Sequence, residues 1–264
     1  ARYFLSTLEA WDLDLTISVA GGLSTVTNRL YRFPFVLGTA FRDVGADRIH
    51  LALQSSSGSI IAGDSLRSRF LVEEDAWVRI TDQGAMSVNF APAGHMSAEY
   101  QSIRARSGAR VEMLSQPRVL HSGAHHQSRI QVDLQNNARV LLVDSFIIHQ
   151  EARTGRYSSS VRILADGVLA ALEQSTVEFA SLSPLASRAH AVVWYLGRLP
   201  ETSERGLASC IDDGTYSARF MLPNHAGAAV RIAADSASAL LQGIEFWVAN
   251  FLNLIEAPLM VPAR

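Results

Sequence analysis

Hydrophobic and polar positions alternate with a period of two along much of the chain. Leu13, Leu15, Ile17 and Val19 alternate with Asp12, Asp14, Thr16 and Ser18, a pattern that predicts a half-buried strand ending at Gly21-Gly22. Leu66, Ser68, Phe70 and Val72 alternate with Arg67, Arg69 and Glu73. The acidic turn Glu73-Glu74-Asp75 leads into Ala76, Val78 and Ile80 on one face, with Trp77, Arg79 and Thr81 on the other. Ile130, Val132 and Leu134 alternate with Arg129, Gln131 and Asp133 before a turn at Gln135-Asn136-Asn137. Val140 to Ile148 is apolar except for Asp144 and Ser145, as expected of a strand buried on both faces. Asp166-Gly167, between Val161–Leu164 and Val168–Leu172, predicts a two-residue hairpin, and His190 to Leu196 predicts a further strand.

Helical periodicity is confined to the end of the chain. Asp235 or Ser236 is placed to cap a helix carrying Leu240, Leu241, Ile244, Trp247, Val248, Phe251, Leu252 and Ile255, closed by Pro258 and Pro262. Its apolar stripe is wide enough to require cover, either from the chain itself or from a partner. A shorter helix is expected near Glu201–Ile211. With no βαβ alternation and no low-complexity linker, the expectation is an all-β fold of mainly antiparallel stacked sheets. One or two helices lie near the C-terminus, and residues 1–264 form a single domain.

Composition narrows the function classes. All 23 basic residues are Arg, so neither a Schiff-base lysine nor a P-loop lysine exists. The net charge of −2 provides no basic excess for nucleic acid. Cys210 is the single cysteine, which rules out an internal disulfide and all-cysteine metal sites within one chain. The first residues, Ala1 to Trp11, lack a signal-peptide pattern. No apolar run approaches the roughly 20 residues that span a bilayer, so a cytoplasmic location is expected.

The sequence contains no G-x-S-x-G, H-E-x-x-H, G-x-G-x-x-G or C-x-x-C motif. Gly21-Gly22 and the stretch Gly58 to Gly63 read as strand turns, because no helix follows them. Of the eight histidines (His50, His95, His121, His125, His126, His149, His190 and His225), only His121, His125 and His126 cluster in sequence. On a strand His125 and His126 point to opposite faces, so they cannot chelate together. A metal site built from His121 or His125, His149 and a carboxylate is one arrangement; a solvated turn and a hydrogen-bonded strand end are the plainer one. Asp144, inside an apolar strand, needs a partner, for which Arg139 and Arg153 are nearest in sequence. Asp64 reads as a turn residue.

Several segments, in order, resemble those of the UreD/UreH urease accessory proteins. They are Gly58-Ser-Ile-Ile-Ala-Gly-Asp64, Ile80-Thr81-Asp82-Gln83-Gly84-Ala85, Ala109 through Glu112, Leu114 and Gln116 to Pro117, and Gly123-Ala124 followed by Val132-Asp133-Leu134. Near the end, Val230-Arg231-Ile232-Ala233, the Trp247 helix and Pro258 through Arg264 complete the set. The resemblance implies an elongated, β-rich, non-enzymatic scaffold. Such a scaffold binds a UreF-like accessory protein, works with a UreG-like GTPase and apo-urease, and assists nickel insertion. It implies no resident cofactor and no catalytic or metal-binding residue assigned here; nickel is a species in transit, through an internal tunnel. Ser87 stands where the family usually has Lys, Asp82 replaces the second Thr of its Thr-Thr-Gln segment, and a later glutamate is missing. These departures suit the alternative of a divergent structural or interaction subunit serving another assembly without nickel. A hydrolase using His121, His149 and Asp144 is the third reading.

Overall fold

The computed structural model describes residues 10–42, 47–182, 187–199, 210–212 (backbone only) and 214–256. An N-terminal part holds β1 (Leu13–Ala20), β2 (Leu23–Tyr31), β3 (Phe35–Leu37), β4 (Phe41–Arg42), β5 (Ile49–Ser55) and β6 (Ser59–Ile60). Three coils follow: β7 (Ser65–Val72), β8 (Trp77–Asp82) and β9 (Met86–Val88); β10 (Ser97–Ala105), β11 (Arg110–Leu114) and β12 (Arg118–Leu120); β13 (Ala124–Leu134) and β14 (Arg139–Ile148). The rest comprises β15 (Gly155–Ala165), β16 (Val168–Glu178), β17 (Ala189–Leu196), β18 (Cys210–Asp212), β19 (Thr215–Met221), β20 (Gly227–Ala234) and helix α1 (Ala237–Glu256).

Two sheets face each other. One runs β16-β15-β13-β10-β7-β1-β2; the other runs β18-β19-β20-β17-β14-β11-β8-β5-β3. The all-β expectation with a C-terminal helix holds, but the antiparallel one needs correction. The middle of each sheet is parallel, from β1 through β7, β10 and β13 to β15 and from β5 through β8 and β11 to β14. Antiparallel pairs lie at the flanks. A parallel pair needs a long return path. Here the return is a strand of the opposite sheet, so each coil stacks on the last and no helix is required.

The turns between the sheets repeat with the coils. Glu73-Glu74-Asp75-Ala76, Arg106-Ser107-Gly108-Ala109 and Gln135-Asn136-Asn137-Ala138 each place a left-handed residue third: Asp75 at φ 60°, Gly108 at 70° and Asn137 at 60°. Each places a buried alanine fourth. Backbone bonds run from turn to turn, from the Asp75 amide to the Ser107 carbonyl and from the Gly108 amide to the Asn136 carbonyl. The middle turn carries glycine, where a Cβ would crowd the Asp75 side chain, lying 2.1 Å from its nearer carboxylate oxygen.

The inner faces form the core that the alternation predicts. Leu13, Leu15, Ile17, Phe70, Val72, Ile103, Val132 and Ile163 meet Leu51, Val78, Ile80, Val111, Val140 and Leu142. A second apolar cluster, with Ile60, Leu66, Val88, Leu120, Ile148 and Tyr157, fills the far end of the coils. Helix α1 covers the outer face of the second sheet, burying Leu240, Ile244, Trp247, Phe251 and Ile255 against residues such as Leu141, Val193 and Val230. Burying such side chains contributes about 1.5–3 kcal/mol each. The chain itself therefore covers the stripe, and β14 is buried on both faces as expected. Ser236 caps the helix, its Oγ accepting the Ala239 amide at 3.2 Å. The hairpin at Asp166-Gly167 forms, with both residues at positive φ. In the region expected to form a shorter helix, Cys210–Asp212 is strand, and 201–209 lie outside the described residues, as do Pro258 and Pro262.

Candidate functional site

Between the two inner apolar clusters the inward positions of the first sheet turn polar. Because alternate residues share a face and the strands are in parallel register, like positions stack into rows. One row reads Glu99, Ser128, Ser159 across β10, β13 and β15. Its neighbours contribute Gln101 and Ser68 on one side and Ser97 and His126 on the other. The facing sheet supplies Asp82 from the end of β8, Arg118 from the start of β12, and Asp144 from the middle of β14.

Arg118 organises this layer. Its Nε and Nη2 donate to the two Glu99 oxygens at 2.7 and 3.0 Å, Nη1 donates to the Gln116 carbonyl at 3.0 Å, and Asp82 Oδ2 lies 3.7 Å from Nη1. His126 bridges Ser97 Oγ at 2.9 Å and Glu99 Oε2 at 3.1 Å. Asp144 Oδ2 accepts the Ser159 hydroxyl at 2.8 Å. Burial alone would raise the Glu99 carboxyl, but the charge of Arg118 and bonds from His126 and Arg118 hold it far below the usual carboxylate range. Asp82 and Asp144 go the other way. Burial raises both carboxyls, against the Arg118 charge and single hydrogen bonds from the Gln116 amide and Ser159 respectively.

These residues line a chamber of about 360 Å³ between the sheets, whose polar wall includes Asp82, Glu99, Arg118, Ser128, Asp144 and Ser145. A second cavity of about 310 Å³ lies beyond it, lined by Asp144, Ser159, Glu173, His190, Trp194 and Arg231 among others. Asp144 borders both. The arrangement sets buried carboxylate oxygens beside both cavities, while Ser97 and His126, which continue the hydrogen-bonded series from Glu99, are buried outside the chamber lining.

A family model described as UreD urease accessory protein matches residues 9–261. The chain belongs to the UreD family. A urease accessory protein UreD of Mycolicibacterium smegmatis is 30% identical over 233 residues, covering 86% of this chain and 85% of that protein. A protein named urease accessory protein UreD 2 from Bradyrhizobium sp. (strain ORS 278) is 29% identical over 252 residues, covering 88% and 86%. Another of that name, from Bradyrhizobium sp. (strain BTAi1), is 34% identical over 146 residues, covering 54% and 51%. The relatives are named as accessory proteins, which bears out the non-enzymatic reading.

Three of the UreD-like segments read from the sequence reach the chamber. Asp82, Gln83, Gly84 and Ala85 line it, as do Ser115 and Gln116 of the next coil and Gly58 of the previous one. The histidines do not assemble there. His125 is exposed and His126 buried, on opposite faces as expected. His121 and His149 stack with ring centroids 5.0 Å apart, but no group of three metal-ligating side chains forms among the described residues. His149 Nδ1 accepts the Glu151 amide at 3.3 Å, the hydrogen-bonded strand end of the plainer reading. Asp64 Oδ2 accepts the Ile61 amide at 2.9 Å, a turn residue as read.

The partner expected for Asp144 is corrected. Arg139 donates to the Leu254 and Ile255 carbonyls at the end of α1, and Arg153 donates to the Gln150 carbonyl. Both lie at ends of their segment, whereas Asp144 sits mid-strand and meets Ser159 of the facing sheet. Glu99 and Arg118 went unremarked in the sequence. The signal for Glu99 is the polar run Ser97-x-Glu99-x-Gln101 ahead of Ile103, the position that pairs with Phe70 and Val132.

Proposed function

We propose that this UreD-family chain is a maturation scaffold that assists nickel insertion into apo-urease, in complex with UreF- and UreG-type partners. The observation that carries the reading is the pair of cavities meeting at Asp144, in a chain that matches the family over residues 9–261. Carboxylate oxygens on successive walls give a divalent cation repeated weak ligands, which suits passage better than storage. The sequence holds no lysine and therefore no P-loop lysine, which is in keeping with a separate GTPase. None of the described helices is long and apolar enough to cross a membrane. We further propose that residues 1–264 act as one domain, in the cytoplasm.

The test is deletion of this chain in its native host, with urease activity and urease nickel content measured together. Both are expected to fall and to return on re-expression of the chain, and the chain should co-purify with a UreF-like protein. Full nickel loading in the deletion strain would overturn the proposal and favour the divergent-subunit reading, for which Ser87 in the place of the family's usual lysine speaks.

A further inference from the structure

The two sheets are finished differently on their outer faces. Helix α1 packs on β14, β17, β19 and β20 of the second sheet, whereas no described element lies over the outer face of the first. There the parallel register stacks outward positions into rows, just as it does inside. One row starts beside Asp12 and runs through Arg67, Tyr100, Arg129 and Ser160. Its neighbour runs through Asp14, Arg69, Ser102, Gln131 and Arg162. With Arg32, which donates to Asp12, the two rows hold five arginines against two aspartates. The aspartates are sunk: their side chains are 11% and 12% exposed, beneath Arg32 at 55% and Arg69 at 36%. Arg129 stands exposed on β13 with no ion pair among the described residues. Elsewhere on the face Arg104 and Arg156 are matched by Asp133 at 3.5 Å and Glu178 at 3.2 Å. The face thus presents positive charge on a chain whose net charge is −2.

An aromatic pair lies among these arginines. Trp11 stacks on Tyr100 with ring centroids 5.7 Å apart, Arg67 lies over both rings at 5.3 and 5.4 Å, and Arg69 lies over Trp11 at 5.4 Å. Stacking holds the guanidiniums against the sheet, so less side-chain freedom is lost when they meet a partner. We propose that this outer face docks the acidic surface of a partner protein, with Trp11, Tyr100, Arg67 and Arg129 at its centre. Trp, Tyr and Arg are the residue types that dominate binding energy at protein interfaces, and guanidiniums take carboxylates by paired hydrogen bonds. The size suits such a contact. Seven strands of eight or more residues, spaced about 4.8 Å apart, make a face of about 29 by 26 Å. That is close to the roughly 800 Å² that each partner gives to a stable complex. Nucleic acid is the poorer fit, because the excess of charge is small, the sheet offers no groove and the chain as a whole is acidic. A second copy meeting this face with its own would set like charges opposite each other. The inference stands on the outer face alone and is independent of the maturation reading.

Fluorescence anisotropy of a labelled decaglutamate, titrated with the purified full chain at low ionic strength, tests it. Extended, this peptide spans about 33 Å, which matches the width of the face. Wild type is expected to bind it, and rising salt to weaken the binding. Arg67→Gln/Arg129→Gln is expected to bind about tenfold more weakly. The control Arg153→Gln/Arg198→Gln, at exposed arginines off the face, is expected to stay within about twofold of wild type. No binding by wild type overturns the proposal, as does equal affinity in the face variant and the control. Should the face variant fail to fold, Arg129→Gln alone carries the test, with a loss of about threefold expected. No loss in that variant overturns the proposal. A ten-nucleotide oligothymidylate that binds more tightly than the peptide gives the face to nucleic acid, and also overturns it. Sedimentation of the same samples covers the remaining occupant: self-association that Arg129→Gln abolishes gives the face to a second copy instead.

Discussion

Two buried carboxylate–arginine clusters lie on opposite faces of the second sheet, and they are built to different ends. On the outer face, beside α1, Glu112 is fully buried, and every donor around it is committed. Arg48 Nη1 reaches it at 3.1 Å, Trp77 Nε1 at 2.8 Å, and Arg79 Nε completes the set. Arg48 and Arg110 also lie over the Trp77 ring. On the inner face, Glu99, Arg118, Asp82 and Asp144 border an open chamber, and the Ser145 hydroxyl beside them meets no hydrogen-bond partner among the described residues. The first cluster is saturated and closed, whereas the second is under-saturated and accessible. Desolvation is repaid in the one by donors that converge on a single carboxylate, and in the other by one guanidinium shared between Glu99 and Asp82, with single bonds from His126, the Gln116 amide and Ser159. The same residue types thus make a fastening in one place and a pathway in the other.

The sharpest way to break the comparison is through the closed cluster. Glu112→Ala removes the carboxylate that Arg79 and the Trp77 N–H meet and leaves Arg48 only its longer contact with Glu256 among the bonds described. It is expected to destabilise the fold by about 3–5 kcal/mol, read by denaturant unfolding. A loss below about 1 kcal/mol would show that the outer cluster is as loosely held as the inner one. Glu99→Gln, its counterpart in the chamber, is expected to cost less, about 2 kcal/mol at neutral pH, since a charged hydrogen-bonded pair is weakened but the site stays wet. Its pH dependence carries a sign. The Glu99 carboxyl is held below its ordinary value of 4.5, so its stabilisation is present above that pH and is lost as pH falls. The gap between wild type and Glu99→Gln should therefore narrow in acid, and a gap that widens there contradicts the assignment.

Arg139 ties strand β14 to the helix. Its Nη1 donates to the carbonyls of Leu254 and Ile255 at 3.0 and 2.7 Å, placing a cation at the negative end of α1. Arg139→Gln is expected to cost about 1 kcal/mol and to raise amide exchange in the last turn of the helix before it affects the sheets. Uniform exchange throughout the chain would mean that the arginine supports the sheet rather than the helix end.

Much of this architecture was legible because a period of two survives folding unchanged. Leu13, Leu15 and Ile17, or Val78 and Ile80, point inward as their alternation requires, and the spacing of Leu240, Ile244, Trp247 and Phe251 fixes the helix face. Strand direction was not legible. Alternation is the same in parallel and antiparallel strands, and what distinguishes them here is the recurrence of the turns ending at Ala76, Ala109 and Ala138, whose residues differ except for that last alanine. The chamber was half legible. Asp144 stood out because its neighbours are apolar, whereas Glu99 and Arg118 sit among polar residues, and only the coil-to-coil stacking shows that they face inward. The partner of Asp144 could not be found nearby in sequence, because opposite sheets meet across coils.

Asp144 provides the smallest effect on stability and the cleanest separation of the two clusters. Burial raises its carboxyl above the ordinary value of 3.8, so the folded chain binds more protons than the unfolded one just above that pH. Stability from this residue therefore falls as pH rises through that window, the opposite sense to Glu99. Asn keeps an acceptor for the Ser159 hydroxyl and has no charge to bury. Asp144→Asn should thus be as stable as wild type or slightly more so at neutral pH, with the difference vanishing in acid. Its effect on delivery should be large, because Asp144 borders both cavities and no other carboxylate among the described residues does. Nickel loading of urease in the host is expected to drop roughly tenfold or more while the chain remains folded and abundant. A variant that is unchanged in both stability and loading would place the cation path elsewhere, and would make the inner cluster, like the outer one, a fastening.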